Sequence, residues 1–296
     1  MRILFITSNR IGDAVITTGL LDHLIRSYPQ SRITVACGPV AEGVFLRMPN
    51  LERLIVFDKR PWRTHWVKLW RDVVRTRWDL VVDLRGSLVS FLIWTRRRAV
   101  MRKLPGRKYE QFARLLRLKP APLPVVWTSA ADRAKAAELL PAGRRVIGVG
   151  PTANSDKMWP AASFAEMFNV LAAGRLEGAV AAVFGGPGER ERALAEPLLA
   201  LLPGAIDLVG KLDLPEVAAC IQRCDLYVGN DSGLMHLAAA AGTPTIGLCA
   251  TTMDRAEEMA PTGRFASWAL GTGPRMEDLS VATAVAAAER LLAERG

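Results

Sequence analysis

The sequence is poor in the residues that build cross-links and metal knuckles, with 4 cysteines and 3 histidines in 296 residues. Cys37 and Cys249 stand apart. Cys220 and Cys224 are four apart in a run that reads as a helix leading into a strand. This usage excludes a disulfide-framed scaffold and points to reduced, structural thiols in a cytosolic setting. No stretch of about 18 apolar residues occurs, so no transmembrane helix is expected. The nearest candidate, LVSFLIW at 88–94, is short and ends in Arg96, Arg97 and Arg98. The N-terminus, MRILFIT, enters a strand at once and lacks the longer apolar run and cleavage site of a signal peptide. Charged residues make up only 23% of the chain and hydrophobic ones 50%, a balance that excludes disorder and supports a sizeable core.

Acidic residues are scarce in one half. Residues 1–130 hold 24 Lys/Arg against 9 Asp/Glu, a net of +15, whereas residues 131–296 hold 15 against 20, a net of −5. A basic half joined to a mildly acidic one suggests that the first half meets something anionic. Nucleic acid, anionic lipid and a phosphorylated glycan all fit that charge, and a solvated basic surface is the plainer reading. No recognisable RNA- or DNA-binding motif accompanies it, so nucleic acid is not expected as a partner.

Periodicity supplies the architecture. ILFIT at 3–7 is a strand, and a polar loop follows from Ser8 to Gly12. AVITTGLLDHLIRSYP then carries apolar residues at helical spacing, Pro29 ends it, and ITVAC at 33–37 is another strand. Such a β-loop-α-β unit makes its two strands parallel. LIVFD (54–58) and LVVDL (80–84) read as further strands, with the basic, tryptophan-rich RPWRTHWVKLWRDVVRTRW between them. Three prolines within LKPAPLPVV (118–126) read as a linker, which places the domains at 1–122 and 123–296. A second α/β series follows. Its strands are VIGVG, AVAAVFGG, AIDLVG, DLYVG and TIGLC, with helices at 163–174, at LPEVAACIQRC and at LMHLAAAAG. The 163–174 helix is expected to open on a Ser163–Glu166 capping box and to close at Gly174. The last helix, VATAVAAAERLLAER, is amphipathic and is free to pack back on the first domain.

In open parallel sheets, ligands bind beyond the carboxyl ends of the strands. Four loops there carry candidate chemistry. In the first, Gly12 permits a tight turn and Asp13 opens a helix, as a simple cap or as a general base aimed at an acceptor hydroxyl. The second runs from Gly150 to Pro160. Its backbone N–H groups and hydroxyls, with Lys157, suit an anion, although the spacing of a Walker A loop is absent. Trp159 reads as a packing residue. The third is Gly185-Gly186-Pro187-Gly188-Glu189, where Glu189 is either a ribose acceptor or the first-turn acid of the next helix. The fourth, Gly229-Asn230-Asp231-Ser232-Gly233-Leu234-Met235-His236, sets small polar residues at a helix N-terminus, an anion site by construction. Asp231 has no second acid two residues away, so no D-x-D motif is present there.

Taken together, IGDAVITTGLLDHLIRSYPQSRITV, the K-x-WP of SDKMWP, the GGPGE loop and GNDSGLMHLAAAAGTPTIGL resemble glycosyltransferase family 9, the inverting heptosyltransferases of lipopolysaccharide core assembly. The resemblance spans nearly the whole chain in the right order. It implies an α/β GT-B fold, two Rossmann-like domains facing a central cleft, with the acceptor on the first and ADP-heptose on the second. It implies no metal and no cofactor beyond the nucleotide-sugar co-substrate. By the motif, Asp13 is the base. Thr152, Lys157, Glu189, Asp231, Ser232, Gly233 and His236 hold the donor. Thr7 stands where several members carry Lys or Arg, with Arg10 as its substitute, and Ala153 stands where a second hydroxyl is common. Arg10, Arg60 and Arg63 are the acceptor-binding candidates.

The implied partners are a nucleotide sugar, an anionic glycolipid acceptor and an anionic membrane touched peripherally from the cytoplasmic side of the inner membrane. For the membrane face, Arg60, Arg63, Lys68, Arg71, Arg75 and Arg77 supply charge. Trp62, Trp66, Trp70 and Trp78 supply aromatic surface, unless the stripe simply packs on the sheet. Two rival readings are a nucleotide-sugar epimerase of the same architecture and a non-catalytic nucleotide-sugar binder.

Overall fold

The computed structural model describes residues 1–58, 64–102, 105–250, 257–258 and 260–295, and the chain divides into two compact units, Met1–Trp127 and Thr128–Gly296.

In the first unit the elements run β1 (Arg2–Ile6), α1 (Ile11–Ile16), α2 (Thr18–Ser27), β2 (Arg32–Cys37), β3 (Leu51–Val56), α3 (His65–Val73), β4 (Trp78–Asp83), β5 (Thr95–Val100) and α4 (Lys108–Leu115). The sheet order is β3-β2-β1-β4-β5, every pairing parallel. Parallel sheets are covered on both faces, so their central strands are apolar throughout. Ile3, Leu4, Phe5 and Ile6 of β1 are accordingly all fully buried. The helix expected after β1 is interrupted at Thr17. Thr17 Oγ1 donates to the Ala14 carbonyl at 2.6 Å and Thr18 Oγ1 to that of Val15 at 2.7 Å, hydroxyl bonds that compete with the helical ladder.

The proline-rich segment packs on α2. Val125 N–H donates to Thr18 Oγ1, and a Cβ on Gly19 would sit 2.5 Å from the Leu123 carbonyl oxygen. These contacts hold residues 123–127 in the first unit, so the division falls between Trp127 and Thr128.

Trp66, Trp70 and Trp78 of the tryptophan stripe pack on the core. Trp66 and Trp70 on α3 are partly buried against a cluster that includes Leu4, Ile6, Leu69 and Val81, and Trp78 is buried at the start of β4. Two of the indole N–H groups are used internally, that of Trp70 toward the Leu92 carbonyl and that of Trp78 toward the Val73 carbonyl. A helix covering a parallel sheet must bury one face, and α3 buries this one. The membrane role expected of these tryptophans is therefore withdrawn for Trp66, Trp70 and Trp78. Arg60, Trp62 and Arg63 lie outside the described residues.

The second unit runs α5 (Ala130–Leu139), β6 (Val146–Gly150), α6 (Ala161–Ala173), β7 (Val180–Val183), α7 (Glu189–Leu201), β8 (Ile206–Asp207), α8 (Leu214–Gln222), β9 (Leu226–Asn230), α9 (Gly233–Ala240), β10 (Thr245–Cys249), β11 (Ala266–Leu270) and α10 (Val281–Arg295). Its sheet order is β11-β10-β9-β6-β7-β8, again parallel at every pairing. Capping boxes do form, but at Ser129–Asp132 and Asp213–Glu216. The one expected at Ser163 does not, because α6 begins two residues earlier, directly after Pro160, and Ser163 lies inside it; Gly174 closes the helix as expected. α10 packs against α6, β10 and β11 of its own unit, burying Ala284, Ala288 and Leu291.

Each sheet reverses its strand order once, between β1 and β4 in the first unit and between β6 and β9 in the second. Those reversals are where ligands collect in such folds.

Candidate functional site

At the reversal in the second unit, two loops meet. The first leaves β6 and the second leaves β9. Asn230, the last residue of β9, is fully buried and bonds the first loop twice. Its Nδ2 donates to the Pro151 carbonyl at 2.7 Å, and its Oδ1 accepts from Trp159 N–H at 3.0 Å. Trp159 is a packing residue, as its sequence context suggests. It is 2% exposed, stacks edge-on with Phe164 and donates its indole N–H to the Leu279 carbonyl.

Between those two tethers the loop carries Lys157 on a short 3-10 turn, Ser155–Lys157. Lys157 Nζ lies 2.5 Å from Asp231 Oδ2, an ion pair across 74 residues of chain. His236, buried on the first turn of α9, has Nε2 3.9 Å from the other Asp231 oxygen. Ser232 is the N-cap of α9, yet its side chain accepts no capping bond. Its Oγ is buried and has no hydrogen-bond partner among the described residues. The first N–H groups of a helix have no partner within the helix. An unused hydroxyl, uncapped N–H donors from Gly233 onward and a lysine thus stand at one place, which suits a phosphate-bearing ligand. Thr152 is buried in the same first loop, its methyl side toward Gly185.

Five of the seven donor candidates named from sequence are therefore brought together: Lys157, Asp231, Ser232, Gly233 and His236. Thr152 lies on the loop that bears Lys157. Glu189 opens α7 beyond β7 and is exposed. The acid that reaches back into the glycine loop is Glu191, whose Oε2 accepts from Gly186 N–H at 3.1 Å. Asn230 sits inside the recognised motif, but its stapling role depends on partners 71 and 79 residues away and has no local signal.

The floor beneath these loops is cleared by glycine. A Cβ on Gly150 would lie 2.0 Å from the Tyr227 hydroxyl, and one on Gly229 would lie 2.8 Å from the Tyr227 ring. The Tyr227 ring thus lies across the ends of β6 and β9, and burial pushes its hydroxyl pKa up. The four cysteines are free and buried, and burial raises Cys37 and Cys249 to about 12 and Cys220 to about 11, which leaves their thiols protonated and inert. Among the described residues no group of three or more His, Cys, Asp or Glu could hold a metal ion.

At the reversal in the first unit, Asp13 lies in α1 and is partly exposed. Ser8 Oγ donates to Asp13 Oδ2 at 3.3 Å while accepting from Arg10 N–H, so the loop after β1 aims the carboxylate. Arg10 itself is exposed. Thr7 is fully buried, its hydroxyl sharing a hydrogen bond with Thr17. Across the reversal, Asp83 ends β4 with a fully buried carboxylate that accepts from Arg85 N–H, Ser87 N–H and Ser87 Oγ. That knot forces a tight turn through Gly86, at φ +62°, and presents Arg85, whose Nη1 donates to Asn9 Oδ1 at 3.2 Å. Arg85 is a cation at the reversal that the sequence reading did not single out. Its position directly after a strand, before glycine, was the available signal.

Several known proteins are similar to this chain over most of its length. Lipooligosaccharide heptosyltransferase 2 of Haemophilus ducreyi is 27% identical over 287 residues, covering 82% of this chain and 81% of that one. The glycosyltransferase of family 9 from Veillonella parvula superposes with a TM-score of 0.81 at 21% identity, covering 99% of this chain and 97% of its own. The ADP-heptose lps heptosyltransferase II of Escherichia coli gives 0.78 at 23% identity, covering 100% and 99%. These likenesses carry the GT-B type of fold. Residues 107–277 match the family described as glycosyltransferase family 9 (heptosyltransferase), more than half of the sequence, and the chain belongs to that family of glycosyltransferases.

Proposed function

We propose that the protein transfers a heptose from ADP-heptose to an anionic glycolipid of the lipopolysaccharide core, with inversion and without a metal ion. The observation that carries the donor half is the convergence of Lys157, Asp231, the free Ser232 hydroxyl and the α9 N-terminus. In this reading the first unit holds the acceptor and the second the donor.

The diphosphate lies on Lys157 and the N–H groups that open α9, while Asp231, with His236 behind it, accepts from sugar hydroxyls. Thr152 belongs to the same loop, and Glu189 sits on the nucleoside side. Asp13, oriented by Ser8, takes the proton from the attacking acceptor hydroxyl. The new C–O bond forms at the anomeric carbon as the bond to the diphosphate breaks, and ADP leaves with the bonding pair. Lys157 and the α9 N–H groups meet the charge that develops there, the task a metal ion performs elsewhere. Arg10, Arg85, Arg60 and Arg63 supply cations for acid groups of the acceptor. The acceptor is presented at an anionic lipid surface on the cytoplasmic face, which the +15 charge of residues 1–130 favours.

The test is Asp13→Asn assayed with ADP-heptose and a lipid-linked core acceptor in the presence of chelator. Wild-type activity should survive the chelator. The variant should lose about a hundredfold in kcat, as expected for a positioned base, with unchanged ADP affinity by calorimetry. A variant near wild-type kcat would reduce Asp13 to a helix residue, and strict dependence on a divalent ion would overturn the metal-free mechanism.

A further inference from the structure

Residues 88–94 in the first unit hold apolar side chains outward on a fixed frame. Val89 and Ile93 are buried at 3% and 6% exposure, and Ser90 is fully buried with its hydroxyl on the Ser87 carbonyl. Those anchors leave Leu88, Phe91, Leu92 and Trp94 at 77%, 57%, 63% and 52% exposure. Val67 on α3 adds another apolar tip, and a groove of about 990 Å³ runs between α3 and this segment, lined by Trp66, Val67, Trp70, Leu88 and Leu92 with Arg85 at its edge. Single exposed apolar residues need no explanation, but a contiguous patch marks a contact surface.

The rim decides what the patch contacts. Arg98 lies over the Phe91 ring at 5.2 Å and Arg77 over the Trp94 ring at 5.8 Å. Arg97 is exposed on the edge strand β5, and Arg71 is one helical turn from Val67 on the same face. The nearby acids are already engaged, Asp79 with Arg96, Asp72 with Arg53, and Asp83 within its own turn. Aromatic rings with guanidinium groups over them, among aliphatic tips and unneutralised cations, match a lipid–water interface with anionic headgroups.

We propose that residues 88–94 and the outer edge of α3 form the surface by which the protein docks on an anionic bilayer. Leu88, Phe91, Leu92 and Trp94 enter the headgroup layer, and Arg71, Arg77 and Arg97 meet lipid phosphates. This placement rests on the reading of the acceptor as a membrane glycolipid and puts the lipid contact on residues 88–94, beside the tryptophans of α3.

The test is co-sedimentation with phosphatidylcholine vesicles and with vesicles containing phosphatidylglycerol, at low and high salt. Wild type should bind the anionic vesicles, less so in high salt. Leu88→Ser/Phe91→Ser/Leu92→Ser should lower the partition coefficient about tenfold or more, and Arg71→Glu/Arg97→Glu should do the same on anionic vesicles alone. The arginine pair keeps the test valid should the triple variant fail to fold. Both variants should keep wild-type ADP affinity and wild-type transfer to a deacylated, water-soluble acceptor, while transfer to acceptor embedded in vesicles falls. Vesicle binding equal to wild type in both variants, no binding by wild type, or self-association through these residues in sedimentation would overturn the docking surface. Failure of wild type on the deacylated acceptor would instead overturn the acceptor reading and leave the vesicle result to stand by itself.

Discussion

In the second unit, a buried amide bonds one ligand loop to the end of the neighbouring strand, and an ion pair of 2.5 Å spans the loops. In the first unit, among the described residues, the side-chain bond that joins the loops at the corresponding strand reversal is an exposed one, from Arg85 to Asn9, and Ser8 steers Asp13. The two sheets share one strand order around the reversal, the second adding only the edge strand β11, so the fold does not set this difference. What differs is how much of each loop is fixed before a ligand arrives. A pre-organised loop lowers the entropy cost of binding one ligand well, whereas a loosely tied, cation-bearing loop suits anionic ligands of varied shape. Under the proposed function, that contrast suits a constant donor and a variable acceptor.

The largest expected break in this contrast comes from Asn230→Ala. It leaves the Pro151 carbonyl and the Trp159 N–H buried without their partner, at roughly 1–3 kcal/mol each. Denaturant unfolding should show a loss of about 2–5 kcal/mol, with ADP affinity reduced because Lys157 sits between the two lost tethers. A loss below about 0.5 kcal/mol would show that the loop is held by other contacts. A crossed pair sharpens the comparison next. Lys157→Ala should weaken ADP binding by about tenfold or more and leave the acceptor KM alone, as for a charge-assisted bond. Arg85→Ala should raise the acceptor KM by about tenfold and leave ADP affinity alone. Either variant moving both quantities equally would erase the division of labour.

The smallest effect is on acid stability. Burial raises the Asp207 carboxyl, but bonds from Lys211, Arg192 and Val209 N–H outweigh it and hold the pKa below its usual 3.8. A carboxyl depressed in the folded state stabilises fully above its unfolded value and loses that contribution as pH falls through the folded one. Asp207→Asn should thus cost the second unit about 0.5 kcal/mol near neutrality, because Arg192 and Lys211 are half exposed and screened, and nothing at low enough pH. Hydrogen exchange of the second unit from pH 7 to 3 would read the difference, and an effect that grows toward acid would contradict the sign.

Much of this was legible from sequence. The central strands announce themselves as apolar runs because parallel sheets bury both faces, and the loops after them carry the recognisable motif residues. The edge strands were harder. β5 is TRRRAV, three consecutive arginines that local pattern assigns to a charged surface. It becomes a strand through pairing with β4, and as an edge it lets Arg96, Arg97 and Arg98 remain at the surface. The tryptophans at 66, 70 and 78 misled in the opposite direction, since helical spacing fixes which residues share a face but not whether that face looks inward. Asn230 and Arg85 take their meaning from partners far away in sequence, which no window reading reaches.

The glycine floor under Tyr227 has an evolutionary corollary. A methyl group at Gly150 would overlap the phenol oxygen, and one at Gly229 would press on its ring. Neither glycine can drift alone, and Tyr227 cannot be trimmed without opening a hole beneath the loops that carry Lys157 and Asp231. The three positions therefore form one heritable unit. Lineages should change them jointly or leave them untouched, and an engineer who wants a larger side chain at Gly150 must first replace Tyr227.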